Sequence, residues 1–254
     1  MEKMRTPFQG VWNIIRFNYQ FYVWALMVIL LLLLLTRFTS SSIGVYLLVL
    51  GSLVFLPMSI SLCVSFYVYD LSDLYKLNWI DPSNKKADRL LININAGFDE
   101  TSILLKEKFP DPVLVVVDFY DPKKHTEISI KRARKAYPPF PNTQSVITTN
   151  LAFADNSADQ IFLIFAAHEI RNEQERILFF KELKRVLKPG GKITVTEHLR
   201  DFTNFLAYSI GFLHFYSKAN WLEIFKSAGL SLKTEQKITP FISTFTLTKY
   251  GATS

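Results

Sequence analysis

The chain has one cysteine and four histidines among 254 residues. A lone thiol, Cys63, cannot form an intramolecular disulfide, which agrees with a reducing compartment, and no metal site is expected. Glycine is scarce as well, with nine residues. No G-x-G-x-x-G occurs, which argues against a nicotinamide-dependent oxidoreductase, because nothing brings a pyrophosphate against a helix N-terminus. Charge is missing from two long stretches, Phe17 to Thr36 and Phe38 to Tyr69. A soluble core helix needs a polar face, and neither stretch has one, while about 20 apolar residues suffice to cross a bilayer as helix.

The two stretches predict a membrane hairpin over residues 1–69, with spans at about 17–36 and 43–67. Basic Lys3, Arg5 and Arg16 before the run Trp24 to Leu35 also fit a secretory leader. The second run follows after only Thr36 to Ser42, which favours the hairpin. Pro57 inside the second span predicts a kink. Lys3, Arg5 and Arg16 flank the first span and Lys76, Lys85, Lys86 and Arg89 follow the second, whereas Arg37 alone lies between them. That distribution puts both ends on the cytoplasmic side. A formal charge of +7 suits anionic headgroups and does not indicate nucleic acid. The bilayer is thus the expected partner, and nothing in the chain names a protein partner.

Residues 70–87 form a polar connector with a turn at Asp81-Pro82-Ser83-Asn84. From residue 88 to 254 short apolar runs alternate with amphipathic stretches, the pattern of βαβ units around a parallel sheet. Strands are predicted at Arg89 to Ile94, Val113 to Asp118, Ser145 to Thr148, Gln160 to Phe165 and Lys192 to Glu197. Asn172 with Glu175 resembles a capping box opening a helix to Leu187, and Gly190-Gly191 suits its left-handed stop. Asn220, Glu223 and Gly229 frame another helix. Leu230 to Ile238 and Phe241 to Lys249 read as a closing antiparallel pair.

Chemistry concentrates at LLININAGFDE (Leu90 to Glu100), a strand entering a turn. The first turn of an open α/β sheet lets a nucleotide-like ligand approach backbone, and Gly97 is the residue that permits it here. Asp118 ends the next strand about 20 residues on, the spacing of an acid that accepts ribose hydroxyls; the alternative is an acid capping its own turn.

Asn150 to Ile170, NLAFADNSADQIFLIFAAHEI, resembles the LPFPDNSFDxV segment of class I S-adenosylmethionine-dependent methyltransferases similar to those of quinone biosynthesis. Phe180 to Glu197, FKELKRVLKPGGKITVTE, resembles that family's helix, LKPGG turn and fifth strand. The resemblance covers about residues 88–250. It implies an α/β Rossmann-like sheet of seven strands, the last antiparallel, preceded here by two transmembrane helices, with S-adenosylmethionine over the carboxyl ends of the first strands. The family's D-x-G-x-G-x-G falls on Asn93, Asn95, Gly97 and Asp99, so its acid and two glycines are replaced. Asp118 takes the place of the ribose acid, Phe119 covers the adenine, and Asn150 and Leu151 lie beside it.

Methyl transfer rests on positioning, and His168 or His198 would supply a base where the acceptor is protonated. His125 and His214 read as structural. Lys123 to Arg134 (KKHTEISIKRAR) faces either headgroups or water. Phe202 to Tyr216 is either a lid against the bilayer or an ordinary helix. Together these features predict an integral membrane methyltransferase acting on a small apolar or lipid-like acceptor; the alternative is a catalytically silent, membrane-tethered binding module.

Overall fold

The computed structural model describes residues 5–80 and 89–249. The expected Asp81-Pro82-Ser83-Asn84 turn, and Lys3, Lys85 and Lys86, lie outside the described residues. Helix α1 (Gln9–Phe17) meets α2 (Tyr19–Leu35) at a bend of 74°. Asn18 breaks the helix there, its side-chain Nδ2 donating to the Ile14 carbonyl at 3.0 Å. The first apolar stretch is therefore shorter as straight helix than its sequence suggested, about 25 Å for 17 residues, and Phe17 belongs to α1. Helix α3 (Ser41–Phe66) runs unbroken through Pro57 and continues into irregular turns. Ser41–Lys76 is the one single helix, among the described residues, long and apolar enough to cross a membrane. Most side chains of α2 and α3 are exposed. Gly51 sits against Leu32, where the two helices touch.

The sheet has seven strands: β1 (Leu90–Asn95), β2 (Val113–Asp118), β3 (Gln144–Ser145), β4 (Ala158–Ile164), β5 (Leu187–His198), β6 (Leu230–Thr239) and β7 (Ile242–Lys249). Their order is β3-β2-β1-β4-β5-β7-β6. The first five are mutually parallel, and β7 runs antiparallel to both its neighbours. Helices α4 (Ser102–Lys108), α5 (Ile128–Ala136), α6 (Glu173–Val186), α7 (Phe202–Tyr208) and α8 (Lys218–Ser227) are the further α-helices among the described residues. Strand alternation sends Ile92 and Ile94 to one face with Phe179, Phe180, Trp221 and Phe225 of α6 and α8. Leu91 and Phe162 go to the other face, with Leu105, Phe109 and the connector residues Leu77 and Ile80. Val68 and Leu74, beyond α3, bury against Ile242 at the start of β7 and so seat the apolar helices on the sheet.

Several local expectations are corrected. Only Gln144–Ser145 pairs with β2, because the chain turns back at an Ile147–Asn150 bridge. Asn172 does cap α6 through the Glu175 amide at 2.9 Å, but the Glu175 carboxylate takes Thr148 and Lys124 in place of the reciprocal bond. Helix α8 opens at Ser217, not Asn220; the Ser217 hydroxyl accepts the Asn220 amide and Asn220 binds Arg176. Phe202 to Tyr216 is not one helix: it breaks at Ser209, in the left-handed region at φ 50°, into α7 and a 3₁₀ turn, Ser209–His214. Gly190, at φ 77°, lies beyond the end of α6, and a Cβ on Gly191 would meet the Asp159 carbonyl at 2.9 Å.

Candidate active site

The carboxyl ends of β1 and β2 stand in register, Asn95 beside Asp118. The β1 turn continues to Gly97 at φ 96°, a conformation that costs glycine little. Asn95 Oδ1 accepts the Gly97 amide at 3.1 Å, so the side chain that replaces a family glycine braces the turn. Asn93, on the Leu91 face of the sheet, donates to Thr101 at 3.1 Å and Ser102 at 2.7 Å where α4 begins. Its buried Oδ1 has no partner. Asp99 Oδ1 accepts the Thr101 and Ser102 amides, both at 2.9 Å.

Asp118 is buried and engaged. One oxygen accepts the Tyr120 amide at 2.8 Å and the other meets Arg134 Nη1 at 2.5 Å. A Cβ on Gly97 would lie 2.8 Å from both Arg134 Nη1 and Tyr120 Cδ2. The space over the glycine turn is thus filled by this chain's own arginine and tyrosine, which stack at 4.2 Å. Part of the basic segment turns inward, Arg132 to the Phe17 carbonyl and Arg134 to Asp118, while Lys123, Lys131 and Lys124, which pairs with Glu175, stay exposed.

Two cavities flank this point. One, of about 250 Å³, lies between α1 and the sheet and is lined by Asn13, Phe17, Asn95, Ala96, His168 and His198 among others. The second, of about 580 Å³, is lined by Phe119, Tyr120, His125, Ser145 to Thr148, and Arg171. Glu169 borders both. Phe119 lines the second cavity, at the end of β2. Asn150 and Leu151 do not line either cavity. Leu151 is fully buried with its amide on Glu182 at 3.0 Å, and the Asn150 side chain caps its own turn at Ala152. Because β3 is so short, the residues that reach the second cavity come a few positions earlier, at Ser145 to Thr148.

Helix α1 roofs the first cavity, and Glu100 holds it there. Arg5 at 2.8 Å and Asn13 at 3.1 Å donate to one Glu100 oxygen, and the Tyr75 hydroxyl donates to the other at 2.9 Å. Asp70, beyond α3, accepts the Gly10 and Val11 amides at 2.7 and 2.8 Å, satisfying donors at the start of α1. The roof is therefore tied both to the sheet and to the apolar helices.

His168 and His198 do share the first cavity, but neither is an available base. Burial alone would lower His168; Glu197, 2.7 Å from Nδ1, and Glu169, 3.2 Å from Nε2, outweigh it and push its pKa up to about 10. It is an imidazolium at neutral pH. Burial, aided by the charge on His168, pushes His198 down to about 4, although Asn204 and the Phe241 carbonyl act against this. Neutral His198 has both nitrogens engaged, Nε2 accepting from Tyr69 at 2.8 Å and Nδ1 donating to Phe241 O at 3.1 Å. It pins the end of β5 to the root of the apolar helices. Burial opposes ionisation of Glu169, yet His168 and His214 hold its carboxyl far below the usual range.

The model of a family described as Methyltransferase domain matches residues 120–195. That stretch begins just past Asp118 and leaves the glycine turn outside it. No curated protein matches the chain in sequence. Among solved structures, an S-adenosylmethionine-dependent methyltransferase from Aquifex aeolicus is similar at 17% identity and a TM-score of 0.52, covering 75% of this chain and 97% of its own. A Pyrococcus horikoshii protein covers 63% of this chain and 81% of its own, at 17% identity and a TM-score of 0.47. A Bacillus subtilis protein covers 65% and 70%, at 20% identity and a TM-score of 0.46. The fold is thus the Rossmann-like one of the class I methyltransferases, seven strands with the last antiparallel.

Proposed function

We propose that the chain is a membrane-anchored, S-adenosylmethionine-dependent methyltransferase acting on a small apolar or lipid-like acceptor. The observation that carries this reading is the pairing of Gly97, left-handed at the end of β1, with Asp118 at the end of β2, between two cavities at the carboxyl edge of the sheet. The residues present fit the donor after two movements: Arg134, about one-third exposed, must give Asp118 to the ribose, and the Tyr120 ring must leave the space over Gly97. Asp118 would then accept both hydroxyls, Phe119 would flank the adenine, and Asn95 would keep the Gly97 turn open. S-adenosylmethionine supplies a methyl group already activated on a sulfonium. The chain's part is to orient the acceptor in the cavity under α1 and exclude water from it.

Apolar side chains support the choice of acceptor. Phe202 and Leu206 of α7 and Phe8 and Trp12 around α1 are exposed on elements that adjoin α3, and Ile210 and Leu213 are exposed on the 3₁₀ turn packed against α7. In a hairpin reading α2 and α3 span the bilayer, and these residues dip into the interface beside them. Arg5, Arg16, Lys76 and Arg89 then lie on the cytoplasmic side and Arg37 on the other.

Sealed vesicles of either orientation, given donor labelled in its methyl group, test function and sidedness together, because the charged donor does not cross the bilayer. Label is expected in the lipid-extractable fraction only where the cytoplasmic face is outward. Label appearing only with the opposite orientation would reverse the topology, and none with either would remove the activity.

A silent binding module is the second reading, favoured by the Arg134–Asp118 pair and by the side chains filling the space over Gly97. Arg134→Ala separates the two. In the enzyme the substitution removes a competitor for Asp118 worth about 1 kcal/mol, so donor affinity is expected to rise roughly fivefold. Absence of donor binding in both proteins favours the silent module.

A further inference from the structure

His168, Glu169 and His214 converge beside the first cavity, which His168 and Glu169 line, from two segments far apart in sequence. The turn after β4 supplies the first two, and the 3₁₀ turn after α7 supplies His214. One ligand-type atom from each lies within 4.8 Å of the others. His168 Nε2 is 3.2 Å and His214 Nε2 3.9 Å from the same Glu169 oxygen. Ligands about 2.0–2.1 Å from a tetrahedral zinc stand roughly 3.3 Å apart, so a modest approach of His214 closes the set.

The surroundings point to a cation as well. His168 Nδ1 lies 2.7 Å from Glu197, a fully buried carboxylate that orients the ring and directs Nε2 towards Glu169. A metal-bound imidazole has this kind of partner on its other nitrogen. In the imidazolium the Nε2 proton lies between His168 and the Glu169 carboxylate, and a metal ion bound there would displace that proton and supply the positive charge in its place. Glu127 adds a further carboxylate 3.6 Å from His214. Opposing these is Arg171, whose guanidinium lies against both ring nitrogens of His214 and 3.7 Å from Glu127. It is the counter-cation of the metal-free cluster, and its side chain is exposed enough to swing towards Glu127 alone.

We propose that His168, Glu169 and His214 bind one divalent transition-metal ion, with Zn(II) the best match to two imidazoles and a carboxylate. The spacing of these residues gave no hint of it, since α6, β5 and α7 all lie between Glu169 and His214. An open coordination position would face the cavity under α1. If the chain transfers methyl groups as proposed above, that position would take an acceptor oxygen and favour its anion, filling the role that neither histidine fills as a base. Metal binding itself does not depend on that reading.

The test uses the full chain in detergent, stripped with a chelator and carrying Cys63→Ser so that the lone thiol cannot contribute. Zn(II) is titrated calorimetrically and Co(II) by its visible absorption. A single ion per chain is expected. His214→Asn and Glu169→Gln should each weaken binding by tenfold or more, on the order of what disturbing a ligand set costs. Arg171→Ala should tighten it roughly fivefold by removing a like charge, a gain that a purely structural role for the cluster does not produce. His214 is partly exposed, so its variant is expected to keep the wild-type melting temperature. Absence of saturable binding at about 0.1 mM Zn(II), well above the range of protein zinc sites, would overturn the proposal. So would an affinity unchanged in the double variant His214→Asn, Glu169→Gln.

Discussion

Gly97→Val is expected to eliminate retention of S-adenosylmethionine while leaving the apolar helices in the membrane. Gly97 sits at φ 96°, where a β-branched residue is strained. Its added Cβ alone would stand 2.8 Å from Arg134 Nη1 and from Tyr120 Cδ2. Arg134 ends a flexible chain and can retreat, but the Tyr120 ring stacks on His125 at 5.5 Å and is less free. Backbone strain of this kind costs about 1–3 kcal/mol, so the domain should melt lower but still fold. The larger effect is on the ligand, because the valine methyls would occupy the donor's own volume. Filter retention of labelled donor, beside a thermal melt, separates the two effects. Donor retention at the wild-type level in Gly97→Val would exclude this turn from the site.

Trp221→Ala is the substitution expected to cost most in stability, about 3–5 kcal/mol. Trp221 is fully buried in α8, stacked on Phe225 at 5.9 Å and edge-on to Phe180 at 6.1 Å and Tyr216 at 5.7 Å. Arg176 of α6 is buried beside it, 3.8 Å from the Tyr216 ring and 5.7 Å from Trp221. Its guanidinium is held by the Ile170 carbonyl and Asn220, with Nε unpartnered. Removing the indole opens a cavity and leaves that charge with fewer neighbours. Against a typical domain stability of about 5–15 kcal/mol, the loss should move the denaturant midpoint far down. A change below about 1 kcal/mol in equilibrium unfolding would mean that α8 does not pack on the sheet through this residue.

The two predictions differ in how far their residues could be read beforehand. Val113–Asp118 is a strand with the bounds its apolar run suggested, and Asn172 caps α6, because both features are local. The closing antiparallel pair was equally plain from its β-rich runs around Thr239-Pro240. Asn18 was harder: it bends the chain by 74° between α1 and α2, and the bend is held by Glu100 and Asp70, which are distant in sequence. Apolar length alone counted Phe17 into a span, whereas the polar contacts of α1 fold it over the sheet. The place of Asp118 at the end of its strand was legible in the apolar run before it, but its partner Arg134 was not, since nothing local to a basic segment says which acid it meets. The same holds for His168 and His198. Their shared cavity followed from strand ends, while the protonation of each is decided by burial and by neighbours, Glu197 and Glu169 around His168 and the charge of His168 beside His198, which only the tertiary fold brings near.

Retention of labelled S-adenosylmethionine by the wild-type protein in detergent, with Asp118→Ala alongside, tests the central claim most directly. Saturable retention is expected in the wild type. Asp118→Ala should weaken it by roughly 1–3 kcal/mol, the cost of losing a buried hydrogen-bonding partner. No retention by the wild type at millimolar donor, with the fold intact, would contradict the claim that this sheet edge is a methyl-donor site.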